Sequence, residues 1–214
     1  RMSLFDASLH HNLHVASNSG SDYDLRQILD NTLVNARPEK AVTVVDNHDT
    51  QPLQALQAPV EAWFKAHAYA LILLRSDGYP CIFYPDLYGA QYTDKGSDGN
   101  DHEIFLDKCD GMEKLIKARK VFSYGPQRDY FEEANCIGWT REGTEENKAS
   151  GCAVVMSNGD KGLRKMEVGK QHAGKLFYDI LQKNAAAVAI DNNGFGDFPV
   201  SAGTVSVYVQ QSKD

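Results

Sequence analysis

The sequence lacks the features that mark membrane proteins and nucleic-acid-binding proteins. Its longest apolar run, Tyr69–Leu74, is far shorter than the about 20 residues that cross a bilayer, and no cationic segment followed by an apolar one opens the chain. The 22 lysines and arginines, against 29 aspartates and glutamates, give a net charge of -7 and form no basic stripe. We therefore expect neither a membrane nor a nucleic acid as a partner.

Cysteine is sparse as well. The four cysteines, Cys81, Cys109, Cys136 and Cys152, are widely spaced and form no CxxC pair, which argues against a zinc knuckle and against a dense disulfide scaffold. No Asn-x-Ser/Thr acceptor occurs, so this positive sign of secretion is missing. The compartment stays open, with a lean toward intracellular.

The composition is that of a globular protein with a sizeable core. The chain has 214 residues, of which 42% are apolar and 24% charged, enough for two domains. Helical periodicity over Val60–Ile72 lies between two apolar runs without alternation, Ala41–Val45 and Tyr79–Tyr84, which predicts a βαβ unit with buried parallel strands. Further helices are predicted over Tyr23–Asn31 and Gly111–Gly125.

The pattern of apolar and turn-forming residues changes after Gly125 and Pro126. Short strand candidates, separated by glycine, asparagine and aspartate turns, follow at regular spacing to the end of the sequence. This pattern is typical of an antiparallel sandwich or barrel. We therefore predict two domains, residues 1–125 and residues 126–214.

Charged side chains collect where the first apolar run ends, in "VVDNHD". Asp46, His48 and Asp49 follow a buried strand, and the carboxyl ends of parallel strands carry ligand-binding and catalytic groups. Two carboxylates beside an imidazole can stabilise positive charge, share a proton or hold a metal. The alternative is a loop with an Asx turn and a solvated histidine. An Asn-His-Asp triplet also occurs in dinuclear metallophosphoesterases, but no Asp-x-His precedes it here.

Two other sets of residues are weaker candidates. His10, His11 and His14 form a histidine cluster in which His10 and His14 can share a helix face, but a glutamate and a third ligand at zinc spacing are missing. Several aromatic side chains offer flat platforms for sugars, although we expect core packing instead. These are Trp139, Tyr178 and Tyr208, and Trp63 on the periodic helix is expected in the core.

Eight blocks in register resemble the carboxy-terminal half of a liquefying-type α-amylase. They are "FDASLHHNLHVAS", "YDLRQIL", "VTVVDNHDTQP", "WFKAHAYALILLRSDGYPCIFYPDLYG", "KARKVFSYGPQRDYF", "IGWTREG", "MEVGKQHAG" and "TVSVYVQ". The resemblance implies the last βα units of a TIM (β/α)8 barrel followed by a Greek-key antiparallel β-sandwich, domain C. It implies a parent glycoside hydrolase that cleaves α-1,4-glucosidic bonds of starch or malto-oligosaccharides internally, with retention.

The resemblance also assigns roles to the strand-end motif. Asp49 matches the carboxylate that stabilises the oxocarbenium-like transition state, and His48 matches the imidazole that hydrogen-bonds the same sugar ring. The nucleophile and the general acid of a retaining glycosidase have no matching stretch here. We therefore expect this chain alone to be inactive, and its open barrel edge to bind the missing amino-terminal barrel half or another copy. The alternative is a non-catalytic glucan- or partner-binding fragment.

Calcium is the cofactor that the resemblance implies. The main site of the family draws on residues absent from this sequence. A second, interdomain site corresponds to the backbones of Ser21, Tyr23 and Arg128, the side chain of Asp129, and position Asn158. Asn158 stands where the family has a carboxylate, and a neutral ligand weakens binding of a hard cation.

Pro85 also replaces a family glycine and fixes the loop after the last barrel strand.

Overall fold

A computed structural model describes residues 2–210, which group into two compact units. The first unit comprises the described residues up to Asn18, with Ile28–Ile72 and Asp77–Met112. The second comprises Ser19–Gln27, Leu73–Ser76 and the described residues from Glu113 onward. The domain boundary between residues 125 and 126 stays a prediction. Within residues 2–210, no helix combines the length and the apolar character that crossing a bilayer requires.

Helices are concentrated in the first half of the sequence and strands in the second. The helices are α1 (Ala7–Ser19), α2 (Leu33–Ala36), α3 (Ala62–Leu74), α4 (Tyr84–Tyr88) and α5 (Met112–Val121). The strands are β1 (Leu4–Phe5), β2 (Ala41–Val44), β3 (Tyr79–Cys81), β4 (Ala90–Lys95), β5 (Asp101–Leu106), β6 (Gln127–Glu133), β7 (Cys136–Arg141), β8 (Cys152–Ser157), β9 (Gly162–Glu167), β10 (Leu176–Asp179), β11 (Val188–Ala189), β12 (Phe195–Val200) and β13 (Val205–Gln210).

The first unit is built on a parallel sheet of three strands in the order β1-β2-β3. The central strand β2 pairs in parallel with both neighbours, Leu4 lying opposite Ala41 and Val44 opposite Cys81. Helix α3 connects β2 to β3, so the predicted βαβ unit is confirmed. Because Ala41, Val44 and Val45 are buried, the strand has the continuous apolar character of a covered parallel strand.

The helix predicted over Tyr23–Asn31 is wrong. Only a 3₁₀ turn forms, at Leu25–Gln27. The backbone groups that a helix needs are bound elsewhere: Leu25 donates its N–H to the carbonyl of Ala134, and Asn12 donates its side-chain amide to the carbonyls of Ile28 and Asp30. The first turn of a helix is unfavourable to nucleate, so a short helix here would not compensate for the loss of these longer-range hydrogen bonds.

Two other predictions from the first unit need correction. The strand predicted over Tyr79–Tyr84 ends at Cys81, and α4 begins at Tyr84 with Pro85 in its first turn, where a missing N–H costs nothing. The polar stretch that follows, for which we predicted neither a helix nor a strand, forms the antiparallel hairpin of β4 and β5, with Ala90 opposite Leu106. Polar residues on both faces of this hairpin hide the alternation that identifies most strands.

The second unit contains the antiparallel sheets that the sequence predicted. Six strands follow the order β11-β10-β13-β8-β7-β6, and β9 pairs separately with β12. Strand β13 lies between β8 and β10 and pairs antiparallel with both. One core cluster joins buried side chains of both sheets, including Val155, Met166, Phe198 and Tyr208, so the all-β half of the fold prediction is confirmed.

The aromatic side chains divide between core and surface. Trp139 and Tyr208 are fully buried, as expected for core residues, whereas Tyr178 is 36% exposed. The core prediction for Trp63 is wrong, because its side chain is 40% exposed and its indole N–H donates to the carbonyl of Ser17 at 3.0 Å. Amphipathic rings often have one apolar side covered and their polar atom hydrogen-bonded at the surface.

Candidate functional site

The loop that follows β2 holds its shape through an Asx turn. The side-chain oxygen of Asn47 accepts the backbone N–H of Asp49 at 2.8 Å and that of Thr50 at 3.1 Å. The hydroxyl of Thr50 in turn accepts the N–H of Asn47 at 3.0 Å. The loop conformation is therefore fixed by its own side chains at the carboxyl end of the central parallel strand.

His48 and Asp49 project from this loop into solvent. Their side chains are 85% and 53% exposed, and His48 Nε2 lies 3.4 Å from Asp49 Oδ1. Because more than half of each side chain faces solvent, both are available to a ligand that approaches this edge of the sheet. The Asx turn and the solvated histidine of the alternative interpretation are both present. The turn uses the side chain of Asn47, so the side chains of His48 and Asp49 stay exposed.

Asp46, two residues before His48, is buried instead of exposed. Its Oδ1 accepts the backbone N–H of Val60 at 3.1 Å, and its Oδ2 lies 3.2 Å from the Nζ of Lys65. Lys65 also forms a very short contact with the carboxylate of Asp86, which is fully buried. One ammonium group on α3 therefore bridges two buried carboxylates, one after β2 and one on α4.

Tyr69 and Cys109 complete this buried polar cluster. The Tyr69 hydroxyl donates to Asp86 Oδ2 at 2.5 Å and accepts the N–H of Phe83 at 3.3 Å. The backbone N–H of Cys109 donates to the carbonyl of Asp86 at 2.7 Å. Burial, followed by the charge of Asp86, raises the pKa of the Cys109 thiol to about 12. Both carboxylate oxygens of Asp86 and its carbonyl thus have partners, as a fully buried polar group requires.

Burial sets the protonation behaviour of the cluster. It raises the pKa of Asp46 to about 6, although the charge of Lys65 acts in the opposite direction. For Lys65, burial lowers the pKa, but the charges of Asp86 and Asp46 outweigh it and raise the pKa above its ordinary value. The cluster therefore holds a charged lysine between the carboxyl groups of Asp46 and Asp86, and it anchors the strand end that carries His48 and Asp49.

Sequence reasoning missed Lys65, Tyr69 and Asp86. A signal was present, because Lys65 is the one cationic residue within Ala62–Leu74, a helix that is otherwise almost wholly apolar. A lone ammonium on a helix of this kind implies a buried acidic partner. The sequence gives no means of choosing which aspartates those partners are.

Two of the three histidines near the amino terminus contact backbone carbonyls. His10 is buried, and its Nδ1 lies 2.6 Å from the carbonyl of Val45, while His14 Nδ1 lies 2.7 Å from the carbonyl of Pro59. These two rings are bound to separate backbone groups. Across residues 2–210, no group of three or more histidine, cysteine, aspartate or glutamate side chains is arranged to hold a metal ion. The four cysteines, all within this range, are free thiols.

The residues matched to an interdomain calcium site lie in the second unit, and amide groups meet several of them. Asn158 Nδ2 donates to the carbonyls of Gly20 and Tyr23, each at 2.8 Å. Asn135 Nδ2 donates to the carbonyl of Ser21 at 2.7 Å and to Asn158 Oδ1 at 2.9 Å. The oxygen atoms around this turn therefore face N–H groups.

The remaining two matched residues form ion pairs. Asp129 accepts two guanidinium N–H groups from Arg75, at 2.6 and 2.9 Å. The Arg128 side chain pairs with Glu142 at 2.8 Å and with Glu167 at 3.3 Å. A bidentate arginine is a strong and geometrically specific partner for a carboxylate. The carboxylate of Asp129 therefore already has a cationic partner, Arg75.

Sequence comparison shows which proteins this chain is similar to. The family model described as "Alpha-amylase C-terminal" matches residues 153–209. The cytoplasmic α-amylase of Escherichia coli (strain K12) is 50% identical over 96% of this chain, and the α-amylase of Geobacillus stearothermophilus is 47% identical over 97% of it. The chain spans only 41% and 36% of the lengths of these two relatives.

Solved structures show the same fold at lower identity. A variant of α-amylase I from Eisenia fetida, in complex with maltohexaose, matches 98% of this chain and 49% of its own length, with a TM-score of 0.68 and 12% identity. An Anoxybacillus α-amylase matches 99% of this chain and 48% of its own, with a TM-score of 0.65 and 18% identity. By sequence and by fold, the chain therefore corresponds to the carboxy-terminal part of α-amylases.

Proposed function

We propose that this chain forms the carboxy-terminal part of a retaining α-amylase that hydrolyses α-1,4-glucosidic bonds within starch and related glucans. The observation that carries the proposal is the exposed carboxylate of Asp49, placed by an Asx turn at the carboxyl end of the central parallel strand β2. The identity of 47 to 50% to two α-amylases covers this segment. Strand carboxyl ends are where α/β barrels place their catalytic groups.

The chemistry of the pair suits a reaction that develops positive charge. A carboxylate near the anomeric carbon stabilises an oxocarbenium-like transition state, and an imidazole beside it can hydrogen-bond the hydroxyls of the same sugar. Asp49 takes the first role in this proposal and His48 the second. The nucleophile and the general acid come from residues outside this sequence, so the 214 residues alone are inactive.

In this proposal the three parallel strands are the last strands of a TIM (β/α)8 barrel. Strands β1 and β3 are the two edges of the sheet, and large apolar side chains near them are exposed: Leu4 by 52%, Phe5 by 62% and Tyr79 by 74%. Exposed apolar groups on an open sheet edge favour association with further strands. The partner is the amino-terminal half of the barrel, and a second copy of this chain is the competing occupant.

A glucan is the ligand that this site would bind. The Eisenia fetida α-amylase that shares the fold was solved with maltohexaose, which supports a malto-oligosaccharide as the ligand of the complete cleft. Calcium, the cofactor implied by the family for its main site, stays a prediction for the complete enzyme.

The first experiment measures the intact mass of every polypeptide in the purified protein and its hydrolysis of starch. A longer polypeptide, or a second one that carries the upstream strands, together with starch hydrolysis, supports the proposal. In that active protein, Asp49→Asn should lower kcat about a hundredfold or more and leave the unfolding midpoint unchanged. Asp98→Asn is the matched control, because Asp98 is also about half exposed but lies on the hairpin turn.

The second candidate is a non-catalytic glucan-binding fragment. It is favoured by the exposure of His48 and Asp49 without a nucleophile in the same chain. Starch binding by the 214-residue chain, with no hydrolysis when the upstream half is added, would establish this function instead. Full activity of the Asp49→Asn enzyme would refute the catalytic role of Asp49 directly.

A further inference from the structure

Two side-chain amides form a closed hydrogen-bond network around the turn at Gly20–Tyr23. The Nδ2 group of Asn158 gives its two protons to the carbonyls of Gly20 and Tyr23, and the Nδ2 group of Asn135 gives its two to the carbonyl of Ser21 and to Asn158 Oδ1. Four amide protons therefore meet four oxygen acceptors. Asn158 is 5% exposed, so its own amide is withdrawn from water, whereas the contact between Asn135 and Ser21 lies at the surface.

The acceptors leave Asn158 a single orientation. If its amide were rotated by 180°, its oxygen would face the carbonyls of Gly20 and Tyr23, and its NH₂ group would face that of Asn135. In this rotated orientation both contacts would be unfavourable, because oxygen would face oxygen at one end and NH₂ would face NH₂ at the other. The nitrogen of Asn158 is consequently the atom that points at the carbonyl oxygens.

This arrangement does not fit a calcium ion. Calcium requires six to eight oxygen ligands and is not bound by N–H groups, so an amide nitrogen among the carbonyls stands where the ion would need an oxygen. Here an N–H group is directed at each of the three carbonyls, and Gly20 also accepts the backbone N–H of Tyr23. The carboxylate of Asp129, the one anionic group matched to the site, is occupied by Arg75.

We propose that the amides of Asn158 and Asn135 take the place of a cation, so that this chain fixes the Gly20–Tyr23 turn within its second unit without metal. An amide NH₂ group presents partial positive charge to the carbonyls, as a bound cation would. An Asn158→Asp change would replace this NH₂ group by an oxygen, the ligand atom that calcium takes. The inference is independent of the catalytic activity, because none of these residues takes part in the proposed chemistry.

The test uses Asn158→Asp in the 214-residue chain, with thermal unfolding measured in EDTA and in millimolar calcium chloride. In EDTA the variant should unfold roughly 5 °C below the parent chain, because a carboxylate oxygen then faces two carbonyl oxygens. Calcium should recover most of this loss, and calorimetric titration should detect one calcium ion bound. The parent chain should show neither binding nor a shift.

Two further variants keep the test decisive. Asn158→Ala removes the donor without adding a charge, so it should lose stability and gain no response to calcium. Asn147→Asp is the matched control, because Asn147 also donates its side-chain amide to a backbone carbonyl, that of Val121. It should not respond to calcium either.

Three results would overturn the proposal. The first is calcium binding by the parent chain that Asn158→Ala abolishes. The second is an Asn158→Asp chain as stable in EDTA as the parent. The third is an Asn158→Asp chain whose lost stability calcium fails to recover, since its carbonyls would then not form a cation cradle.

Discussion

The Nζ atom of Lys65 lies 3.2 Å from the Oδ2 atom of Asp46, three residues before Asp49. Both side chains are withdrawn from water, with 13% and 2% of their areas exposed. Asp46 also receives the N–H of Val60, which precedes α3. The contact thus ties the end of β2 to the beginning of the next helix. This contact fixes the first residue of the loop, while His48 and Asp49 farther along it stay exposed to solvent.

Replacing Lys65 by methionine should strongly destabilise the protein. The change leaves Asp46 and Asp86 buried together without a cation, and breaking a buried ion pair in this way costs about 3 to 5 kcal/mol. Chemical unfolding of both chains measures the loss. Lys95→Met is the control, because the Lys95–Asp101 pair is about two-thirds exposed and should contribute less than about 1 kcal/mol. Equal effects of the two substitutions would contradict the buried cluster.

The raised pKa of Asp46 predicts a specific dependence of stability on pH. The pKa of Asp46 is about 6 in the folded protein and its ordinary value is 3.8, so between these values the folded state binds more protons than the unfolded state. The contribution of Asp46 to the free energy of unfolding therefore falls as pH rises from about 4 to about 6, by roughly 2 to 3 kcal/mol at most, and is constant above that.

Unfolding measured at several pH values, for the parent chain and for Asp46→Asn, isolates this contribution. The stability deficit of the variant should narrow as pH rises through the window. A deficit that widens over the same range would mean that Asp46 has a lowered pKa.

His48 should affect catalysis without affecting stability. In the complete enzyme, His48→Gln should lower kcat/KM about tenfold or more, because a hydrogen bond to the sugar is lost or displaced. The unfolding midpoint should not move, since the side chain is 85% exposed. His102→Gln is the control: His102 is also a solvent-exposed histidine, hydrogen-bonded to Asp98 on the hairpin turn. An unchanged kcat/KM for His48→Gln would remove His48 from the site.

Thiol labelling should distinguish Cys81 from the other cysteines. Cys81 is exposed, whereas burial raises the pKa values of Cys109 and Cys152 to about 12 and also raises that of Cys136. The native 214-residue chain should therefore react with one equivalent of Ellman's reagent, and the unfolded chain with four. If further strands cover β3 in the complete enzyme, Cys81 should react more slowly there. Rapid reaction of two or more native thiols would contradict the burial of the others.

The regular elements followed from the sequence where local pattern and tertiary contacts agree. Helix α3 and strand β2 have clear periodicity or apolar continuity, and both formed near their predicted positions. The predicted helix over Tyr23–Asn31 failed because Leu25 pairs with Ala134, more than a hundred residues away, which no local pattern records. The β4–β5 hairpin was missed because exposed polar strands show little alternation of polarity.

The candidate site was predictable in part for the same reason. The sequence places Asp49 and His48 after a buried strand, so their position at a strand end needs only local reasoning. The partners of Asp46 need the tertiary fold: Lys65 is nineteen residues away, and Asp86 lies on another helix. The sequence marked Asn158 as a departure from the family, but only the structure shows which oxygen atoms its amide meets.

The amide of Asn158 has a thermodynamic consequence that a bound ion would not have. Stabilisation by a ligand follows mass action and vanishes as the free concentration of the ligand falls below its dissociation constant. Asn158 is part of the polypeptide, so its concentration at the turn is constant, and an amide does not titrate between acidic and alkaline pH. The hydrogen bonds to Gly20 and Tyr23 consequently contribute equally in a chelating medium and in a calcium-rich one.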